Sequence, residues 1–199
     1  MNHSDDERED GVTQADILDW VRSFVWSGEN DPDEVALMIQ DQFGEDDEVD
    51  EDWLKKAIHQ EFAAKRKAET TWPEVTDCDR LDRAFKTLER QGVIALHMAG
   101  FTQSDGLHEV EETYREAGGE KSTYAGHCFY TTQDQERALD GGGLYIGFGH
   151  LSGDDAKGVE AGLVVRAALE REGLNVEWDG TIQKRILVKG FQWQRRSPS

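Results

Sequence analysis

From Thr123 to Trp193 the chain runs through three contrasting segments: GGGLYIGFG at 141–149, an amphipathic stretch at Ala156–Gly173, and the tripeptide Trp178-Asp179-Gly180. Apolar spacing near two gives way to spacing near 3.6 and then reverts, with glycine at each change, which predicts strand, helix, strand. The Trp178-Asp179-Gly180 turn has a structural explanation: aspartate bonds backbone amides two residues on, and glycine accepts a positive φ.

Upstream, residues 1–11 form a polar, acidic tail. Residues 12–71 read as a helical N-terminal unit. Thr13 caps a first helix carrying Ile17, Leu18, Val21, Phe24 and Val25, and Gly28 stops it. Asp31 and Pro32 open a second helix whose buried stripe is Val35, Met38, Ile39 and Phe43. The acidic run Glu45–Asp52 is a connector. A third helix follows with Trp53, Leu54, Ala57, Ile58, Phe62 and Ala63 on one face, and Lys65, Arg66 and Lys67 suiting the negative end of its dipole.

Residues 72–199 read as one α+β domain. After the helix that begins at Thr76-Asp77-Cys78-Asp79, the order from residue 93 is strand (VIALHM), helix (Leu107–Ala117), strand (YAGHCFYT), helical turn, strand (Leu144–Phe148), helix, strand, strand. The pattern predicts a split βαβ, ferredoxin-like sandwich with an added C-terminal strand and helices on one side of the sheet; a doubly wound parallel sheet is the alternative. Val159, Leu163, Val164, Ala167 and Leu169 are the residues expected to cover the sheet from the long helix.

Charge divides unevenly along the chain. Residues 1–60 hold 19 acids against 4 bases and residues 61–199 hold 23 against 18, out of a formal net charge of −20. Such a surface repels phosphate backbones and excludes nucleic acid from the acidic face, while suiting a basic protein partner. Two cysteines without a CxxC pair, no apolar run of membrane-spanning length and no secretory leader predict a cytoplasmic protein with free thiols and no membrane association.

No catalytic set can be assigned from the residues. The glycines at 141–143 precede a strand and lack the lysine of a phosphate loop, so they predict turns and close packing. His97, His127 and His150 lie on or just after three strands, but their spacing matches no metal motif, and adjacent His127 and Cys128 point to opposite sheet faces, so no metal and no cofactor is expected. Cys128 reads as core and Ser104-Asp105 as a helix cap. A ligand site at the strand ends, if one exists, draws on His97, Gln103, Asp105, His127, Tyr130 and Gln133. At the C-terminus Arg185, Lys189, Arg195 and Arg196 interleave with Trp178, Phe191 and Trp193, and this basic segment is expected to dock on carboxylates such as those of the N-terminal unit.

The blocks WPEVTDCDRLDRAF (72–85), GVIALHMAGFTQSDG (92–106), HCFYTTQDQERAL (127–139), GGGLYIGFG (141–149), VEWDGTIQKRILV (176–188) and WQRR (193–196) resemble an uncharacterised bacterial family, a domain of unknown function. A looser likeness, in a helix followed by an acidic strand and an Asp-Gly turn, is to the regulator of ribonuclease activity B. That likeness implies a split βαβ domain acting by association with another protein. The sequence therefore predicts a non-catalytic interaction or regulatory module with a basic partner; the alternative is an enzyme or small-ligand binder using the strand-end residues.

Overall fold

The structure, a computed structural model, describes residues 13–43 and 49–197. Residues 1–12 and 44–48, which take in the acidic tail and the first half of the acidic connector, lie outside them. The chain divides into two compact units, residues 1–72 with 196–199, and residues 73–195.

The first unit holds α1 (Gln14–Ser27), α2 (Pro32–Phe43) and α3 (Glu51–Glu69). Thr13 and Asp16 cap α1 reciprocally, Gly28 ends it in the left-handed region, and Asp50 caps α3. Ile17, Val21, Val25, Val35, Ile39, Leu54, Ile58 and Phe62 form the core. Several expectations change here: Leu18 of α1 and Ala63 of α3 are exposed rather than part of the packed faces. Met38 points outward, because Val35 and Ile39 take the inward positions, with Ala36 and Phe43 packed partly against the same core. Lys65 does not serve its own helix end; it is fully buried, and its Nζ donates to the Val25 carbonyl at 3.0 Å, satisfying a C-terminal carbonyl of α1.

The second unit runs α4 (Asp77–Arg90), β1 (Val93–Leu96), α5 (Gln103–Glu116), β2 (Gly126–Phe129), α6 (Thr132–Leu139), β3 (Leu144–His150), α7 (Asp155–Arg171), β4 (Val176–Glu177) and β5 (Ile186–Val188). It is an α+β unit around one mixed sheet of order β1-β2-β3-β5-β4. β1 and β2 are parallel direct neighbours joined through α5, and every other pair is antiparallel. A split βαβ arrangement inserts a strand between the two that flank a crossover helix, so this order differs from the ferredoxin-like one. A doubly wound parallel sheet is likewise not what forms.

Helices lie on both faces rather than one. Val93, Ala95, Cys128, Tyr130, Leu144, Ile146, Ile186 and Val188 face α4 and α7, whereas Leu96 and Phe129 face Val110 of α5. All four residues of β2 are buried, as expected of a strand covered on both sides.

α7 is turned relative to the predicted register. Its buried residues are Gly158, Ala161, Gly162, Val165, Ala168 and Leu169, leaving Leu163 52% and Val164 39% exposed. A Cβ at Gly162 would stand 2.6 Å from Phe148 Cε2 and 2.8 Å from Trp178 Cη2, so glycine lets the helix backbone approach those rings. The Asp179 turn is as anticipated: Thr181 N–H donates to Asp179 Oδ1 at 3.0 Å, and the Trp178 indole N–H closes the loop on the Thr181 and Lys184 carbonyls.

Candidate functional site

At the end of β1 the chain passes His97 and then Met98, whose φ of 46° is the only positive value among the described non-glycine residues. This left-handed backbone is costly for a side chain larger than glycine and persists where the surroundings impose it. The Ala99 N–H donates to the Tyr130 carbonyl at 2.8 Å and ties the loop to the end of β2.

His97 Nδ1 lies 3.1 Å from the Tyr130 hydroxyl, and Tyr130 is fully buried against Trp193 and Phe85. Phe191 and Trp193 reach the core from the C-terminal segment, where Arg195 donates to both oxygens of Asp82 at 3.0 and 2.7 Å. The Gln192 N–H donates to Asp77 at 3.1 Å. The basic C-terminus thus docks on carboxylates of α4 through Arg195, while Arg185 goes to Asp134 and Lys189 to Glu177.

His97 Nε2 stands 3.7 Å from Asp82, and its side chain is 34% exposed. Burial takes its pKa down to about 4; the Asp82 carboxylate opposes this, and the charges of Arg195 and Lys86 reinforce it. The ring is neutral at neutral pH, so its approach to Asp82 is a polar contact. Cys78, buried under the same segment, has its thiol pushed up to about 12 by burial. The cluster fastens the C-terminal segment to α4 and to the β1 loop.

The remaining residues expected at the strand ends go elsewhere. Asp105 is the third residue of a capping box with Thr102, its Oδ2 accepting the Thr102 N–H at 2.8 Å, and these hydrogen bonds lower its pKa. The cap of α5 is therefore Thr102 rather than Ser104-Asp105. Gln103 donates to Asp134 at 3.3 Å. His127 faces away from Tyr130, stacked on Phe129 over Gly149, where a Cβ would come within 2.7 Å of the ring. Its Nδ1 is buried without a hydrogen-bond partner, and burial, aided by His150, lowers its pKa to about 4. His150 turns to the Ser152 hydroxyl at 2.7 Å, and Asp154 caps α7. Gln133 lines an open groove of about 590 Å³ with Glu136, Arg137, Asp140 and Gly142. Of the six, only His97 and Tyr130 meet.

One arrangement has little signature in the sequence. Asp134, buried, closes the cap of α6 with Thr131 and accepts Arg185 at 2.8 and 2.9 Å, while Arg185 and Arg137 both lie over the Tyr145 ring. Its one trace in the sequence is the spacing Thr131-x-x-Asp134, which recurs at Thr13, Thr76 and Thr102, each time as a reciprocal cap. Among the described residues no group of three or more His, Cys, Asp or Glu could hold a metal ion, and no helix is long and apolar enough to cross a membrane.

Acidic side chains dominate the outward helix faces instead. Residues 13–43 carry seven carboxylates, at 16, 19, 29, 31, 33, 34 and 41, against one base, Arg22. On α5, Glu109, Glu111 and Glu116 are exposed.

These features define an acidic two-unit α+β protein. The chain belongs to the family described as Domain of unknown function (DUF6891), whose model matches residues 9–197 and so spans both units. No curated protein and no solved structure matches it.

Proposed function

We propose that this protein is a cytoplasmic, non-catalytic interaction module that recognises a basic protein partner through its acidic helices. The observation that carries the reading is an imbalance in how charge is used. In the second unit Arg166, Lys184, Arg185, Lys189 and Arg195 are each held by a carboxylate of the same unit. The carboxylates of α2 and the Glu109, Glu111 and Glu116 side chains face outward with few bases nearby, and such a field attracts cationic surfaces and repels nucleic acid. The likeness to the regulator of ribonuclease activity B offers a precedent for an acidic protein acting by association, although its split βαβ order is not the order β1-β2-β3-β5-β4 seen here.

The alternative, an enzyme or small-ligand binder at the strand ends, is favoured by one observation, the left-handed backbone of Met98 beside His97. Affinity capture with the full chain at low salt, followed by mass spectrometry, separates the two. The interaction reading expects a basic protein whose recovery falls as ionic strength rises, because exposed charge pairs are screened beyond about 10 Å at 0.1 M salt. Recovery of no basic protein at low salt overturns it.

A further inference from the structure

α2 has an outward face that no other described helix matches. Val35 and Ile39 are its buried residues, and on the opposite side Leu37 is 65% exposed, the highest value among the exposed large hydrophobic residues, with Met38 beside it. One turn to either side of Leu37 lie Asp33, Glu34 and Asp41, all exposed. The helix sequence PDEVALMIQDQF contains no lysine, arginine or histidine.

The comparison with the other apolar outward faces is what selects α2. α1 leaves Leu18 outside but carries Arg22 one turn on, and α7 leaves Leu163 and Val164 outside but carries Lys157, Arg166 and Arg171, with Arg166 already paired to Glu170 at 2.8 Å. α5 leaves Leu107 outside, but its Glu112 is approached by His108 and Arg115. On α2 the carboxylates have a different employment: Glu34 accepts the Asp31 N–H at 2.8 Å, and Asp33 and Asp41 form no ion pair among the described residues.

We infer that the α2 face docks a cationic amphipathic helix of a partner protein. Leu37 and Met38 meet its apolar stripe, and Asp33, Glu34 and Asp41 receive the lysines or arginines that border that stripe. Helix recognition of this kind reads anchors at i, i+3 and i+4, and the unbranched Met38 adapts to the contour it meets. Charge sets the encounter rate and orientation, and the apolar anchors slow release. The inference rests on the basic-partner reading above and assigns its location.

The test titrates the full chain with two synthetic peptides of leucine and lysine having identical composition, one in amphipathic helical register and one scrambled, over a range of salt. The native chain is expected to bind the amphipathic peptide at least about tenfold more tightly than the scrambled one. Leu37→Ser is expected to weaken binding about tenfold at every salt concentration. Asp33→Asn with Asp41→Asn is expected to weaken it mainly at low salt and to flatten the salt dependence. All these positions are exposed, so circular dichroism should be unchanged. If Leu37→Ser and the double variant bind the amphipathic peptide as the native chain does, with salt dependence intact, the α2 location is wrong while the basic-partner reading stands. If neither peptide binds at low salt, both fail.

Discussion

Gly162→Ala and Leu163→Ala, made side by side, decide how α7 faces the sheet. The new methyl at 162 would sit 2.6 Å from Phe148 and 2.8 Å from Trp178, where carbon contacts are ordinarily about 3.5–4.0 Å. The two rings, packed edge to face at 5.1 Å, must therefore give way by about 1 Å or the helix must lift. Overpacking of this kind costs about 1–3 kcal/mol, and the better helix propensity of alanine returns about 1 kcal/mol. A net loss of up to about 2 kcal/mol is expected at 162. Leu163, half exposed, should change stability by no more than about 0.5 kcal/mol. Hydrogen exchange over β3 and α7 in rising urea reads the second unit by itself. This orientation of α7 is wrong if Leu163→Ala costs more than about 2 kcal/mol, the signature of a buried leucine, while Gly162→Ala is neutral or stabilising.

Other consequences are equally direct. His127 and His97 have pKa values lowered to about 4 from an ordinary 6.5, so the stability gained by keeping them neutral is complete above about pH 6.5 and lost as pH falls towards 4. For the more buried His127 the loss is about 3 kcal/mol at most, and His127→Leu should flatten the acid limb of a stability–pH curve; an unchanged limb contradicts this. Asp82→Ala removes the carboxylate that holds Arg195 and should cost about 1–3 kcal/mol, part of which Arg195→Leu in the same chain restores; full additivity of the two changes would show that the pair does not couple. Cys78 and Cys128 are buried with thiol pKa values raised by burial, so a disulfide reagent at pH 8 should label neither until urea unfolds the chain. Rapid labelling of either would contradict their placement.

The sequence carries some of these features openly and hides others. Helix starts are local, since a Thr-x-x-Asp box contains both capping partners within four residues, and a glycine such as Gly28 marks an end. The same locality made Asp105 look like a site residue when it serves the cap of its own helix. Sheet order depends on which strands pair over long separations, and the run HCFY, apolar on both sides, does not tell one covered face from two. The turn of α7 was illegible for a related reason: hydrophobic spacing favours Leu163 and Val164, whereas close approach to Phe148 and Trp178 requires glycine at 162. Asp82 and Arg195, 113 residues apart, meet only because Phe191 and Trp193 fill the core and bring the C-terminal segment across α4. The apolar patterns place His97 and Tyr130 at strand ends, but their contact depends on β1 and β2 being direct parallel neighbours, which local spacing does not encode.

The acidic helices define the account, and the affinity of the full chain for its captured partner, measured from about 0.05 to about 0.3 M salt, tests it most directly. Affinity for a basic protein should weaken by an order of magnitude or more across that range. An affinity that holds constant with salt, or a captured partner that is itself acidic, would contradict the assignment.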